Sequence, residues 1–457
     1  MQERNVQLLI IGGGPAGYAA AIRARHLGIE TVLVERDIVG GTCLNRGCIP
    51  TKTLLESAGL FRQIQASKDF GFVVEGVNVD YSKVAKRKDQ VVAALVKGLR
   101  HTMQQMGIEV ICGEAVFDDA GSVVVHGSNP VQLRADKTIV ATGAAPADLP
   151  HIKPNGTNIF DSDSILEITE LPSSLVIVGG GAIGCEFASI FQSLGVSVTI
   201  VELLDGLLPG EDEDLRKALL REFKKQKVKV LASAKLTDVS EDGDELKFSV
   251  EQKGETKELQ AAACLVAIGR RPVLPEGLNV ETNKQGHIVV DDQFATSAPS
   301  IYAAGDIIGG LQFAHLAFFE GMNAVQAAFG YDHRRTWHVP RCVYTHPETA
   351  AVGLTERQAR ERYGDVVVGT FSLKGSGKAM ILGENAGICK VIATGDGTAV
   401  GFHMVGPHAT EMIIEAVVAL EQGMTLEQWS QCIHPHPTVN EGVQESLLTA
   451  LGLPMHG

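Results

Sequence analysis

No stretch of this chain is long and apolar enough to cross a bilayer; glycine or charge breaks the longest hydrophobic runs well short of about 20 residues. Nor does the chain open on a charged-then-apolar leader with a cleavage site, because an apolar strand, Val6 to Ile11, begins almost at once. These two absences predict a cytoplasmic protein with no membrane contact. Positive charge is short as well: 40 Lys and Arg face 54 Asp and Glu, for a net charge of −14. That balance argues against nucleic acid and suits a basic protein partner. Cysteine is too sparse for a disulfide framework, with eight in 457 residues. Six of them (Cys112, Cys185, Cys264, Cys342, Cys389 and Cys432) are scattered, mostly beside apolar neighbours, and read as buried small hydrophobes.

The other two are close together. Cys43 and Cys48 lie in GGTCLNRGCIPTK, residues 40–52, between a glycine pair and an apolar helical stretch expected from near Lys52. Such a pair can close a small ring that is easier to reduce than a structural bridge. The stretch therefore reads as a redox-active disulfide, and the question becomes what delivers electrons to it.

At this length two to four domains are expected, of ordinary globular composition. The first begins QLLIIGGGPAGYAAAIRARHLGIETVLVE: a strand, a glycine loop, an Ala-rich helix and a second strand ending at Glu35. In a dinucleotide fold Gly12 makes the tight turn, Gly14 lets the backbone approach a pyrophosphate, and Gly17 lets the helix pack on the strand. The helix N-terminus offers free N–H groups to phosphate, and Glu35 stands where a carboxylate accepts ribose hydroxyls. Helices are expected over residues 53–65 and 81–105, the second with a basic face that reads as solvated. Strands are expected near 109–113, 122–126 and 137–142, the last running into ATGAAP, where the chain leaves the domain.

The second module repeats the first. SLVIVGGGAIGCEFASIFQSLGVSVTIVE carries Gly179, Gly181, Gly184 and Glu202, and 23 positions separate first glycine from acid in both modules. Leu203 and Leu204 follow that acid where a 2′-phosphate would need Arg or Lys, so the site should prefer NAD to NADP. CLVAIGRRP then echoes the ATGAAP exit. Further on, a strand at 301–304 ends in Gly305-Asp306. That aspartate is either a plain turn residue or, the favoured reading, a partner for a flavin's ribityl hydroxyl.

From about Val339 the pattern becomes α+β, with strands expected at 341–344, 366–370, 388–393 and 399–405 and a helix at 410–422. The helix carries Met412, Ile413, Ala416, Val417 and Leu420 at core-facing spacing, to pack on its own sheet or on a second subunit. Last comes CIHPHPTVNEGVQESL. Prolines hold His434 and His436 in a rigid loop, and Glu441 can fix one ring nitrogen and leave the other as a base. The alternatives are two plain surface histidines or a metal site, and the metal is disfavoured because residues flanking a proline diverge and no third ligand type is near.

Taken together, GGTCLNRGCIPTK, the paired dinucleotide folds, YAAGD and HPHPTVNE resemble the pyridine nucleotide–disulfide oxidoreductases over essentially the whole chain, and within them the dihydrolipoamide dehydrogenase branch. The resemblance implies an α/β fold with two Rossmann-like domains and a C-terminal α+β dimerisation domain. The expected divisions are 1–146 for FAD and the disulfide, 147–272 for NAD, 273–338 for the return to the FAD site, and 339–457 for the dimer interface. FAD would be held by Gly12, Gly14, Gly17, Glu35 and Asp306, and NAD by Gly179, Gly181, Gly184 and Glu202. Gly41, Thr42, Lys52, Thr142, Gly143 and Gly269 complete the cofactor-binding set.

The same resemblance implies that Cys43 exchanges with a dithiol substrate and that Cys48 lies against the flavin as the charge-transfer thiolate. Lys52 and Glu186 would pair beside the flavin ring, and His436 with Glu441 would serve as the acid–base dyad of the other subunit, making a homodimer obligatory. Its partner would be a lipoyl domain of a 2-oxo acid dehydrogenase or glycine cleavage complex, with a basic E2 subunit-binding domain as a further candidate. Departures are Arg46 where the family has a small apolar residue, Thr51 for serine, and HPHPT for HAHPT. Arg46 is expected to lower a cysteine pKa or alter access to the disulfide. Glutathione-type reductases would need arginines after the second acid. Mercuric reductases would need a C-terminal cysteine pair, and soluble transhydrogenases lack the redox cysteines. A silent NAD-binding assembly subunit is the alternative from another class.

Overall fold

The computed structural model describes residues 2–118, 121–150, 152–243 and 245–456. Unbroken apolar runs make parallel strands covered on both faces. In the first sheet β1 (Gln2–Ile11) continues through α1 (Pro15–His26) to β2 (Thr31–Glu35), which pairs beside it with Ile11 opposite Val34. Three helices follow: α2 (Gly41–Arg46), α3 (Cys48–Ala66) and α4 (Tyr81–Gln105). The helix expected from Lys52 thus starts a turn earlier. Gly47 breaks the backbone at φ −145° and ψ −110°, and Pro50 falls in the first turn, where its missing N–H costs nothing.

The chain then enters β3 (Glu109–Cys112), β4 (Glu114–Phe117), β5 (Val123–His126) and β6 (Val131–Val140), giving the order β3-β2-β1-β6-β5-β4. The basic face of α4 is not wholly solvated: Lys88 is buried, and its ammonium donates to the carbonyl of Leu166 and pairs with Asp89.

After β7 (Ala144–Pro146) the second parallel sheet forms from β8 (Ile159–Asp161), β9 (Ser174–Val178), α5 (Ala182–Ser193), β10 (Ser197–Val201), α6 (Glu213–Lys225) and β11 (Lys229–Leu231). An antiparallel sheet that the sequence reading missed follows, β12 (Ala234–Asp242), β13 (Glu245–Gln252) and β14 (Glu255–Ala261). Its central strand buries Leu246, Phe248 and Val250 on one face, an alternation obscured by the charges between them. Next, β15 (Ala263–Val266) completes the second sheet, and β16 (Arg270–Pro272) pairs antiparallel with β7, Arg270 opposite Pro146. The two look-alike exits are therefore hydrogen-bonded to each other.

β17 (Ile301–Ala303) returns to the first sheet alongside β6, and α7 (Ala314–Ala328) packs on α1. The remainder is β18 (Arg341–Val343), β19 (Glu348–Gly353), α8 (Glu356–Tyr363), β20 (Val366–Ser372), α9 (Gly377–Leu382), β21 (Ile388–Thr394), β22 (Ala399–Gly406), α10 (Ala409–Glu421), α11 (Leu426–Ser430) and α12 (Glu441–Ala450). Its antiparallel sheet runs β18-β19-β22-β21-β20. The unforeseen β19 is alanine-rich, so its propensity was low, yet Ala350, Ala351 and Val352 are buried. Helix α10 buries Ile413, Ala416 and Leu420 on this sheet and leaves Ile414 and Val418 exposed on another face.

Among the described residues no helix is long and apolar enough to cross a membrane. Two of the six scattered cysteines are exposed rather than buried, Cys112 at the end of the edge strand β3 and Cys432 in the loop after α11; Cys342 is half-buried.

Candidate active site

The first glycine loop is shaped by close approach. Gly12 turns at φ +101°, where an added Cβ would meet the carbonyl oxygen of Ala141 at 2.4 Å. At Gly17 the corresponding contact is 1.8 Å from the oxygen of Gly12, whereas Gly14 meets nothing nearer than 3.8 Å. The loop is therefore packed where it turns and open where a ligand would approach. The N-terminus of α1 has no side-chain cap, so its N–H groups remain free for an anion. Glu35 braces the loop: Gly13 N–H donates to one carboxylate oxygen at 2.7 Å and Asp37 N–H to the other at 2.9 Å.

A cleft of about 350 Å³ opens there. Its walls bring together Gly12, Gly14, Glu35, Gly41, Thr42, Cys43, Cys48, Lys52, Thr142, Gly143, Glu186 and Asp306. Gly41 (φ +57°) lies so close to the glycine loop that a Cβ would stand 2.6 Å from the Cα of Gly14. The redox stretch thus forms one wall of the dinucleotide cleft. Asp306 reaches it from the end of β17, and burial pushes its carboxyl up. Thr142 donates its hydroxyl to the carbonyl of Val273 at 2.6 Å, tying the first exit to the returning chain.

Cys43 lies within α2, and Cys48 is the first residue of α3, at the positive end of the helix. Both are unbridged and line the same cleft. Cys43 donates to Cys48, which pushes Cys43 up and brings Cys48 down to about 7; burial opposes that fall, and the ammonium of Lys52 assists it. Lys52 is held by both carboxylate oxygens of Glu186, at 2.8 and 2.7 Å, and lies 4.6 Å from the ring centroid of Tyr344. Glu186 also accepts the Tyr344 N–H at 3.0 Å. Arg46 is not among the largest influences on either cysteine. It pairs with Asp37.

Arg270 was missed, because it stood inside the echo of the first exit and read as a linker. From β16 its guanidinium donates to the carbonyl of Ala144 at 2.5 Å and to the Thr42 hydroxyl at 3.3 Å. Its Nε is buried, faces no protein acceptor, and belongs to the lining of the same cleft. An orphaned cationic donor beside an open glycine loop and an uncapped helix fits an anionic diphosphate.

The second glycine loop repeats this local geometry. Gly179 turns at φ +108°, Gly184 packs against the Gly179 oxygen, nothing stands within 4 Å of a Cβ on Gly181, and α5 is uncapped. Glu202 accepts the N–H groups of Gly180 and of Leu204, the latter at 2.6 Å. Leu203 and Leu204 are exposed; Arg216 lies nearby but pairs with Asp205. Gly269, at φ +128°, turns the chain just before Arg270. These residues do not line the first cleft, but Ala182, Ile183, Glu186 and Phe187 of α5 do, so one helix links the two loops.

His436 and Glu441 also lie outside the cleft. The ring Nδ1 of His436 contacts Glu441 at 2.8 Å, and Thr438 N–H fixes the other carboxylate oxygen at 3.0 Å. With Nδ1 engaged, Nε2 faces outward on a side chain that is 80% exposed. His434 faces the other way, buried on Glu415 at 2.9 Å, which raises its pKa. Glu415 further accepts from Trp429 and Asn440, an unforeseen brace under the histidine loop.

Comparison with known proteins places this arrangement. Residues 6–321 match the pyridine nucleotide-disulphide oxidoreductase model, and residues 339–447 match the dimerisation domain of the same family. The chain is 42% identical to a dihydrolipoyl dehydrogenase of Bacillus subtilis over 98% of its length and 99% of the relative's. A dihydrolipoyl dehydrogenase of Rhizobium etli is 39% identical, covering 97% and 98%. Among solved structures, LpdA of Mycobacterium tuberculosis superposes with a TM-score of 0.90 at 27% identity, covering 97% of this chain and 99% of that one. The HOCl-induced flavoprotein disulfide reductase RclA of Escherichia coli gives 0.86 at 30%, covering 96% and 99%. With both models matched along nearly its whole length, the chain belongs to the pyridine nucleotide-disulphide oxidoreductase family.

Proposed function

We propose that this protein oxidises protein-bound dihydrolipoamide to lipoamide with NAD⁺ as acceptor, using the Cys43–Cys48 pair and FAD. The carrying observation is the unequal placement of the two cysteines in one cleft: Cys43 lies within α2, whereas Cys48 opens α3 at its N-terminus, with Lys52 held by Glu186 in the same wall. That is the asymmetry a dithiol relay needs, with one sulfur for exchange and one kept as thiolate.

The residues divide the work as follows. His436 of the partner subunit takes a proton from a substrate thiol at Nε2, while Glu441 holds the ring. The substrate thiolate attacks Sγ of Cys43, breaking the Cys43–Cys48 bond and releasing Cys48 as thiolate. The second substrate thiolate then attacks the mixed disulfide, which frees the oxidised dithiolane and leaves Cys43 reduced. Lys52, positioned by Glu186, stabilises negative charge at Cys48. The first glycine loop, Glu35, Thr42, Asp306 and Arg270 would hold FAD, which supplies the two-electron link between a dithiol and a nicotinamide. The second loop and Glu202 would hold NAD, Glu202 on the ribose hydroxyls. A homodimer follows from the dimerisation domain. A lipoyl domain of a 2-oxo acid dehydrogenase or glycine cleavage complex is the proposed carrier, with a basic E2 segment as docking partner for an acidic enzyme, in the cytoplasm.

The deciding experiment compares steady-state rates for dihydrolipoamide with NAD⁺ against glutathione disulfide and other disulfides with NADH and NADPH. Dihydrolipoamide with NAD⁺ should exceed every other pair in kcat/KM. A faster rate with another disulfide would overturn the reading.

A further inference from the structure

Three ion pairs line the first cleft, and they differ in how firmly they are held. Lys52–Glu186 is bidentate with a buried carboxylate, and Arg270–Asp163 has its guanidinium only 11% exposed. Arg46–Asp37 is the most exposed, with side chains 40% and 48% accessible. An exposed pair of this kind contributes little to stability. Yet both members line the cleft that Gly14, Glu35 and Thr42 also line, and Asp37 N–H donates to Glu35. Arg46 ends α2, one helical turn beyond Cys43, and Asp37 follows the acid that braces the glycine loop. Arg46 also bears electrostatically on Asp163 across the cleft. Its charge is thus felt by carboxylates on both sides of the dinucleotide cleft.

We propose that Arg46 is an anion clamp for the cofactor diphosphate, with Asp37 as the placeholder carboxylate it leaves when the diphosphate binds. A guanidinium prefers a dianionic diphosphate, which offers several oxygens for forked hydrogen bonds, over one solvated carboxylate. The last turn of the redox helix thereby helps to retain the flavin nucleotide, so the cysteine pair and its cofactor are fastened through one short element. The inference rests on FAD occupying this cleft, as in the proposed function.

The test measures FAD release from the holoenzyme by the rise of free-flavin fluorescence after dilution, at several salt concentrations. Arg46→Gln should release FAD roughly tenfold faster, as expected for losing a charge-assisted hydrogen bond at a partly exposed site. Salt should accelerate release from the wild type more than from this variant. Asp37→Asn, which removes only the placeholder, should release FAD at the wild-type rate or more slowly. Equal release from Arg46→Gln and wild type would overturn the clamp. Equally accelerated release from both variants would also overturn it, because the pair would then merely hold a loop. Flavin content and dithiol turnover of the wild type are read in the same preparations. A yellow, active wild type with unchanged release in Arg46→Gln counts against the clamp alone, whereas a colourless wild type overturns both readings.

Discussion

The two glycine loops are nearly the same object, and their surroundings differ. In each, a parallel strand turns at a glycine with positive φ, an uncapped helix begins, and an acid 23 positions after the first glycine folds back to brace the loop. Around the first loop the chain then adds walls: Gly41 against Gly14, Arg270 from the second unit, Asp306 from the returning strand, and the ion pair of Lys52 with Glu186. Around the second loop Leu203 and Leu204 are left exposed. One local motif thus presents two different sites according to what is built over it. A walled site suits a resident cofactor, and an open one suits a dinucleotide that must come and go with each turnover.

The sharpest way to break this contrast is at the sulfur that the first site encloses. Cys48→Ser should abolish dihydrolipoamide turnover, roughly 10³-fold or more, while the protein stays yellow; a normal rate would remove Cys48 from the chemistry. Next comes the group supplied from outside the cleft. His436→Gln should slow the dithiol half-reaction about 10²- to 10⁴-fold in stopped flow and leave NADH-driven reduction nearly unchanged; equal slowing of both would argue against a base.

At the open second site, Glu202→Ala with Leu203→Arg should shift the NAD/NADP ratio of kcat/KM toward NADP by roughly tenfold, since it removes a ribose acceptor and a repulsion and adds a phosphate partner. An unchanged ratio would mean that NAD is read elsewhere. The smallest effect is a titration. Because Cys48 is brought down to about 7 from an ordinary 9, its thiolate should persist in the reduced protein above neutrality and fade as pH falls through about 7. The ultraviolet thiolate absorbance measures this directly, and a midpoint near 9 would show that Lys52 and Cys43 do not act on it.

Much of this was legible in the residues because local chemistry specified it. Positive-φ glycines, strand-ending acids and the C-x4-C spacing each impose a local geometry that no distant contact needs to supply. Strands β1, β2, β9 and β10 were visible for the same reason, as unbroken apolar runs, whereas the three-residue β8 and β11 were not. The antiparallel β12–β14 sheet and β19 were not, since charged or alanine-rich strands become strands only when neighbours offer a ladder. Arg46 was visible as an oddity, but its partner, nine residues upstream in the loop after β2, was not.

By itself, then, the sequence determined two glycine loops with their bracing acids, a C-x4-C pair and a histidine loop, all features closed within about 30 residues of chain. Only the tertiary structure decided that Lys52 meets Glu186 across 134 residues, that Arg270 reaches Thr42 across 228, and that the two exits pair. It also placed His436 outside the cleft of its own subunit. The physical reason is reach: hydrogen bonds and ion pairs act over a few ångströms, so which distant residues meet is settled only once the sheets have brought their ends together.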